Sequence, residues 1–211
     1  MNNVKAFGQF EERRGYVFRT SAYLQWGSST KSLGAFLFLN PGRTELLTGA
    51  LIGVGEVLFG EVKVDLMMEQ KRKLVERIYG NEKLEGRVHL YYLFSLRNTI
   101  EQDPIDLFEV LAKLSDVPVI DAIPSMEELR THPWICKCWG INSNPNWKQL
   151  SARKQEWTKQ LEDAGIPMFG KPHRNGIDYF HILPHLKTTQ QELLDDLVEI
   201  YRKEVQGSDG V

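Results

Sequence analysis

The chain has 211 residues, of which 42% are hydrophobic and 26% charged, so it can bury a core and is not a disordered polymer. Its formal net charge of -2 excludes the uniformly basic surface of a nucleic-acid coat protein but leaves room for a local basic groove. We expect a single domain over residues 1–211, with a polar leading segment at 1–15 and a flexible tail at 206–211.

The sequence carries no signal for export or for a membrane. The start, MNNVKAFGQFEERRGY, lacks the apolar core of a signal peptide, and no apolar run reaches the roughly 18 residues that span a bilayer. Cys136 and Cys138, two positions apart, suit a disulfide poorly and lack further zinc ligands, so we expect two reduced buried thiols. We therefore expect a cytoplasmic monomer with no membrane partner, cofactor or metal.

The first half of the chain contains two strand signals and one helix signal. Residues 15–27 alternate enough to predict one or two strands, as a hairpin at the sheet edge. The apolar run at 33–42, LGAFLFLNPG, predicts a central strand buried on both faces. Residues 43–65 are rich in glycine and predict a long loop with a short helix. Residues 65–86 predict a helix that ends at Gly80, with Leu66, Met67, Leu74 and Ile78 on its apolar stripe.

The second half alternates strands with helices. We predict a second central strand with its exit loop over 87–100, a helix opened by Asp103-Pro104, a third strand at 134–142 and a helix at 148–165. The other elements are an ambiguous strand or loop at 117–125, a short helix at 126–132, strands at 166–171 and 178–186 joined by the basic loop KPHRNG, and a last helix at 188–205 capped by Thr188 or Thr189.

This alternation predicts an α/β fold with three α/β/α layers and a mostly parallel central sheet. In such a sheet the ligand binds beyond the carboxyl ends of the central strands. Those ends carry Asn40-Pro41-Gly42-Arg43, Ser95-Leu96-Arg97-Asn98, Gly140-Ile141-Asn142 and Pro184-His185-Leu186-Lys187. The set has many hydrogen-bond donors and little negative charge, so it indicates an anionic or base-like ligand rather than a metal.

Each of these segments also has a purely structural interpretation. Asn-Pro-Gly after a strand is most often a turn, and Arg97 can be a solvated strand end or an ion-pair partner. The histidines at 173, 181 and 185 can be ordinary surface or strand residues, and the five tryptophans fit packing better than base stacking. The sequence contains none of the GxSxG, GxxxxGK[ST], GxGxxG and HExxH motifs.

The order of motifs FLFLNPG, YYLFSLRNT, KCWGINSN and FHILPHLK resembles the strand ends of the uracil-DNA glycosylase superfamily. It is similar to a bacterial branch of unknown function that carries an LNP turn, an NLF-ALR strand and a WG strand. The resemblance runs from Tyr16 to Leu186. It implies a uracil-DNA glycosylase-like fold and a monofunctional DNA glycosylase, which flips a modified or non-standard base out of DNA and hydrolyses its N-glycosidic bond to leave an abasic site. A modified phage cytosine, such as glucosylated hydroxymethylcytosine, is one substrate that the resemblance suggests, in phage defence.

The resemblance also implies roles for individual residues. Asn40 would orient the hydrolytic water, since an amide is not a strong base, and His181 or His185 would help the departing base carry charge. Tyr92 or Phe94 would stack on the base or wall it. The other implied contacts are to substrate, through Pro41, Gly42, Arg43, Arg97, Asn98 and Asn142, and to DNA phosphate, through Lys171, His173, Arg174 and Lys187.

Three departures separate this chain from the uracil-specific enzymes. Tyr92, or Ser95 in a shifted register, stands where they carry the asparagine that reads the pyrimidine edge. LPHLK replaces the usual HPS-type motif, and no carboxylate follows the first strand at the position of the strongest members' base. Two alternatives stay open: a non-catalytic nucleic-acid-binding module on the same fold, and a hydrolase of free nucleosides or nucleotides.

Overall fold

The computed structural model describes residues 4–49, 53, 55–80, 83–97, 103–114, 118–184 and 186–207. In these residues the chain is an α/β protein with one seven-stranded sheet and five helices. The strands are β1 (Lys5–Arg13), β2 (Tyr16–Trp26), β3 (Ser32–Phe38), β4 (Val57–Glu61), β5 (Gly86–Tyr92), β6 (Ile135–Lys137) and β7 (Met168–Phe169). The helices are α1 (Leu66–Tyr79), α2 (Pro104–Leu111), α3 (Met126–Leu129), α4 (Lys148–Ala164) and α5 (Lys187–Glu204).

The sheet is mixed, so the prediction of a mostly parallel sheet is wrong. Its strand order is β4-β1-β2-β5-β3-β6-β7. The neighbours from β4 to β5 pair antiparallel and those from β5 to β7 pair parallel. The leading segment at 1–15, predicted as a polar entry segment with no strand assigned to it, contains the strand β1. Every second side chain of KAFGQFEER is buried, and the polar residues between them hid the alternation.

Two further predictions fail in the antiparallel half. β2 is a single strand that forms a hairpin with β1, but it lies between β1 and β5 rather than at the edge. The edge strand is β4, in the stretch predicted to be a loop with a short helix, and the described residues between 43 and 65 contain no helix. β4 pairs with Phe7–Glu11 of β1, so its partner lies far away in sequence.

The helices α1, α2 and α4 lie where the sequence predicted them. Asp65 caps α1 by accepting a hydrogen bond from the Met68 amide at 2.8 Å. Asp103 caps α2 in the same way, through the Ile105 amide at 2.8 Å. Gly165 ends α4 with φ 66°, a left-handed conformation that suits glycine.

The buried face of α1 differs from the predicted stripe. Leu66 is 77% exposed, whereas Met68, Lys71, Leu74 and Ile78 are buried against the sheet. A lysine therefore occupies a position within the apolar stripe of this helix. Spacings of three and four residues put all four buried side chains on one face.

The C-terminal third is less regular than predicted. β6 and β7 cover only parts of 134–142 and 166–171, and the short helix predicted at 126–132 is the single turn α3. Residues 118–125 are irregular, and 178–184 form no strand; single backbone bridges join Tyr179 to Gly140 and to Pro172. Neither threonine caps α5, because the helix begins after Leu186, whose carbonyl accepts from the Thr189 hydroxyl at 2.8 Å.

Helices pack on both faces of the sheet. One buried cluster joins α1 and α5 to Phe36 and Phe38 of β3, and the other joins α2 and α4 to Ala35 and Leu37. The chain that leaves β3 passes through the edge strand β4 and then through α1 on the first face before it returns to β5. The chain that leaves β6 passes through α4 on the second face before it reaches β7. The two connections diverge at the carboxyl ends of β3 and β6. Open α/β sheets bind ligands in the crevice at such a switch point.

Two smaller observations complete the fold. Cys136 and Cys138 are free and buried, as predicted. Among the residues that the structure describes, no helix combines the length and the apolar character needed to cross a membrane.

Candidate functional site

A cavity of about 700 Å³ opens at the switch point between β3 and β6. Three other cavities lined by described residues measure about 310, 360 and 380 Å³. Its lining comes from the end of β3, the start of α1, the end of β6, the loop before α5 and α5 itself: Phe38, Leu39, Asn40, Gly42, Leu66, Met67, Trp139, Gly140, Ile141, Asn142, Phe180, His181, Leu183, Pro184 and Gln190. No acidic or basic side chain other than His181 is among these described lining residues. The cavity therefore suits a flat, largely neutral group contacted by amides and an imidazole.

The loop after β3 places Asn40 on the cavity wall. Asn40 is half-buried, Pro41 is buried, and Gly42 turns the chain with φ 67°. Nothing lies within 4 Å of the position where a Gly42 Cβ would stand, so the glycine is required by its backbone conformation and not by crowding. The predicted Asn-Pro-Gly turn thus contributes two lining residues and one buried support.

Arg97 anchors this loop from behind. Its Nε donates to the Thr44 carbonyl at 2.9 Å and its Nη2 donates to the Arg43 carbonyl at 3.0 Å. Burial, the largest influence on this group, lowers the pKa of Arg97. Arg97 and Arg43 were predicted to contact substrate. The Arg97 guanidinium instead hydrogen-bonds to backbone carbonyls, and Arg43 is exposed outside the cavity lining. Asn98, predicted beside them, lies outside the described residues.

His181 lies on the wall formed by the loop before α5. Its ring centre is 5.8 Å from that of Phe38, with the ring planes tilted by 60°. Its Nδ1 is 3.3 Å from both the amide and the carbonyl of Leu183, so one tautomer accepts from the amide and the other donates to the carbonyl. The alternative candidate, His185, lies outside the described residues.

The wall after β6 depends on a glycine. Gly140 has φ 86°, and a Cβ built there would lie 3.0 Å from Asn142 Nδ2. The Asn142 side chain donates to the Trp139 carbonyl at 3.4 Å, and the Asn142 carbonyl accepts from Lys154 Nζ at 2.6 Å. Asn142 was predicted from its strand end, and the structure places it in the cavity beside Asn40 and His181.

A buried polar network supports this wall. Lys154 of α4 donates to the Asp178 carboxylate at 2.5 Å, and both side chains are almost fully buried. The same carboxylate accepts from Trp139 Nε1 at 3.3 Å and from Asn175 Nδ2 at 2.8 Å. The network ties α4, the end of β6 and the loop before Phe180 into one unit. It therefore fixes the orientation of two cavity walls.

The two aromatic residues predicted to stack on a base do not line the cavity. Phe94 is buried and stacks on Phe108 of α2, with ring centres 4.4 Å apart. Tyr92 is buried on the α1 side of the sheet, where its hydroxyl accepts a hydrogen bond from Arg19. The aromatic walls come instead from Phe38, Trp139 and Phe180, which the sequence reading missed. Their positions in the sequence could have indicated them, because Phe38 lies two residues before Asn40 and Trp139 immediately precedes Gly140.

The predicted phosphate-binding residues lie outside the described cavity lining. Lys171 pairs with Asp196 and lies 5.5 Å from the ring centre of Phe180, so its charge is partly neutralised. The His173 ring packs on the same phenylalanine at 5.9 Å. Arg174 and Lys187 are exposed and remain accessible to a polyanion.

A second pocket of about 360 Å³ lies on the α4 side, beside β2 and β5. Tyr91, on its wall, donates to Glu128 Oε1 at 2.9 Å and lies 2.7 Å from His132 Nε2, while Ser32 Oγ lies 2.7 Å from His132 Nδ1. Because the Tyr91 proton goes to Glu128, His132 carries its proton on Nε2 and accepts from Ser32. Burial, aided by His89, lowers the pKa of His132 to about 4, so the ring is neutral.

Comparison with known proteins adds no relative. No protein-family model, curated protein or solved structure matches this chain. Within the described ranges, no three histidine, cysteine or acidic side chains come together as a group that could hold a metal ion.

Proposed function

We propose that this protein is a monofunctional DNA glycosylase of the uracil-DNA glycosylase type, and that the extruded base occupies the cavity beside Asn40. One observation carries the proposal: Asn40, Asn142 and His181 line one cavity with aromatic walls at the switch point of the sheet. The proposal includes the three-layer arrangement typical of that superfamily, a monomeric state, DNA as the partner, and a cytoplasmic location where the DNA lies.

In the proposed reaction the bond between C1′ and the base nitrogen breaks as a water oxygen bonds to C1′. Asn40 accepts a hydrogen bond from this water and orients it, because the amide is too weak a base to remove its proton before the bond breaks. The sugar passes through an oxocarbenium-like state, and the electron pair of the broken bond leaves with the base. His181 donates a hydrogen bond to the departing base, and the water proton is released to solvent or to the base.

The cavity favours a bulky base as substrate. Its volume of about 700 Å³ lies in the range of pockets that enclose whole drug-sized ligands, well beyond an unmodified pyrimidine ring. Phe38, Trp139 and Phe180 offer ring faces for stacking, while Asn40 and Asn142 offer amides for a polar substituent. This combination supports a modified cytosine, such as glucosylated hydroxymethylcytosine, over uracil.

The test is an excision assay with a panel of oligonucleotides. Duplex and single strands carrying uracil, hypoxanthine, a thymine mismatch or glucosylated hydroxymethylcytosine are incubated with the protein and then treated with alkali, which cleaves abasic sites. We expect strand breaks with the modified cytosine. Salt-sensitive binding without breaks favours the non-catalytic binding module. Free base released from nucleosides alone, detected by mass spectrometry, favours the metabolite hydrolase.

A further inference from the structure

Two cations lie buried on the α1 side of the sheet, outside the site described above. Arg19 of β2 is 2% exposed and Lys71 of α1 is 1% exposed. Lys71 Nζ lies 4.4 Å from the ring centre of Phe38, and Arg19 Cζ lies 5.1 Å from the ring centre of Tyr92. Phe38 and Tyr92 are partners in the register of β3 and β5, so the two cations lie over neighbouring rings. The charge of Arg19 also lowers the pKa of Lys71.

Neither cation has a negative partner among the described residues. Arg19 donates to the Tyr92 hydroxyl through Nη2, but its Nε and Nη1 are buried without an acceptor. Lys71 belongs to none of the hydrogen bonds or ion pairs formed by the described side chains, and Arg19 belongs to none of the ion pairs. The larger of the two influences that raise the pKa of Lys71 comes from Asp65, which is engaged in capping α1.

An arrangement of this kind is costly for the protein alone. Burying a charge without a partner is strongly destabilising, and a guanidinium cannot escape by losing its proton. Buried donors in folded proteins are nearly always satisfied, so Arg19 Nε and Nη1 call for an acceptor that the described chain does not supply. Two charges and at least three donors match an oxyanion better than they match water alone.

The position of the pair connects it to the cavity. The Arg19 amide donates to the Ser95 carbonyl at 2.9 Å, which places Arg19 at the carboxyl end of β5. Lys71 lies one helical turn after Met67, and Met67 and Phe38 both line the cavity. The cations therefore lie near the carboxyl ends of β3 and β5, the same end of the sheet as Asn40, behind the Phe38 ring.

We propose that Arg19 and Lys71 form an internal receptor for one tetrahedral oxyanion of the phosphate class. Two negative charges on the oxyanion balance the two cations, and its oxygens accept from Arg19 Nε and Nη1 and from Lys71 Nζ. The phosphate comes either from the free ion or from a nucleotide whose base enters the neighbouring cavity. Phosphate binding by this receptor does not depend on glycosylase activity, so the two proposals can be tested separately.

The experiment measures phosphate binding by the wild type, Lys71→Met and Lys73→Met. Lys73 is exposed on the same helix and is the matched control. Inorganic phosphate is titrated calorimetrically at constant ionic strength in chloride, and melting temperatures are recorded with and without phosphate. We expect phosphate to bind and stabilise the wild type and Lys73→Met, and affinity to fall at least tenfold in Lys71→Met. In chloride alone and below about pH 6, where Lys71 is charged, Lys71→Met should melt no lower than the wild type, because methionine fills the space without an unpaired charge.

Three outcomes overturn the receptor. The first is the absence of any phosphate binding by the wild type, which needs no variant to interpret. The second is equal stabilisation of all three proteins, as expected for an adventitious ion at the surface. The third is a loss of stability of Lys71→Met in chloride with unchanged phosphate affinity, which assigns the lysine a purely structural role.

A further titration identifies the source of the phosphate. Deoxycytidine monophosphate is compared with inorganic phosphate, using the wild type and Asn40→Ala. Tighter binding of the nucleotide that is lost in Asn40→Ala supports a receptor that serves a ligand of the cavity. Equal binding of nucleotide and ion in both proteins supports a receptor for the free ion.

Discussion

Lys154 donates to Asp178 across the space between α4 and the loop that leads to the cavity, and both side chains are withdrawn from water. Their side-chain exposures are 6% and 1%. Since Lys154 also holds the Asn142 carbonyl and Asp178 holds the Trp139 indole, one ion pair supports two neighbouring residues of the cavity wall. The position of this wall therefore depends on the buried ion pair between Lys154 and Asp178.

Replacing Asp178 by asparagine tests this dependence. Asp178→Asn leaves the Lys154 ammonium buried without a counter-charge, so we expect a loss of about 3–5 kcal/mol in the free energy of unfolding. Urea denaturation measures it. The control is Asp163→Asn, which removes an exposed ion pair with Lys159 and should leave the free energy of unfolding nearly unchanged. Equal small losses in the two variants would show that the buried pair does not hold the wall.

A second prediction concerns the glycine after β6. Gly140→Ala places a Cβ against Asn142 Nδ2, in addition to the strain of a left-handed alanine. Gly176→Ala is the matched control, because φ is 72° there and no atom stands within 4 Å of the new Cβ. We expect both variants to lose about 1 kcal/mol or more of stability, and only Gly140→Ala to lose excision activity, by about tenfold or more, through displacement of Asn142. Equal activity of the two alanine variants contradicts this role.

The third prediction is a pH dependence of stability that arises from Lys71. Burial, then the charge of Arg19, lowers the pKa of Lys71 to about 7, while Asp65 and Cys138 act weakly in the opposite direction. The unfolded lysine titrates near about 10.4. Between these values the unfolded chain binds more protons than the folded chain, so stability rises with pH across this window. Below about pH 6 both states are protonated and the penalty is complete.

Urea denaturation of the wild type and Lys71→Met in chloride buffers from pH 5.5 to 9 measures this effect. The difference in unfolding free energy should be constant below pH 6, and should then shift in favour of the wild type by about 1.4 kcal/mol per unit between pH 7 and 9. The exposed Lys73→Met should show no such slope. A flat difference for Lys71→Met over the whole range means that the lysine keeps an ordinary pKa.

The fourth prediction concerns binding of DNA through exposed cations. Arg174→Ala and Lys187→Ala should each weaken binding of any oligonucleotide by a similar factor and reduce the slope of log affinity against log salt by about 1. Lys31→Ala is the control, because Lys31 is exposed next to the amino end of β3, at the opposite edge of the sheet. Fluorescence anisotropy at several salt concentrations measures the slopes. If Lys31→Ala loses as much affinity for DNA as these variants, the phosphate contacts are not localised near the cavity.

The sequence predicted the parts of the fold that depend on local signals. The stops at Gly80 and Gly165 and the cap at Asp103 located three helices, and the apolar run before Asn40 located β3. β1 and β4 were missed because their strand character depends on pairing with each other and with β2. A strand with one polar face and a distant partner gives only a weak local signal.

Some residues of the candidate site could also be predicted from the sequence, and others could not. The rule that ligands bind at the carboxyl ends of strands found Asn40 and Asn142, and the resemblance to the glycosylases indicated His181. The rule could not separate Arg97, which binds backbone, from a ligand contact, because that distinction depends on the path of the loop after β3. Lys71 was detectable in principle, as a charged residue within the apolar stripe of α1.

The most direct test of the account is the single-turnover rate of base excision by Asn40→Ala, compared with Asn146→Ala, on DNA containing glucosylated hydroxymethylcytosine. Asn146 is an exposed asparagine outside the cavity lining. We predict that Asn146→Ala cleaves at the wild-type rate and that Asn40→Ala is slower by about 100-fold or more, with folding intact, because the water is no longer held. Excision by Asn40→Ala at the wild-type rate, or no abasic product from the wild type with any DNA in the panel, contradicts the proposed role of Asn40 in DNA glycosylase activity.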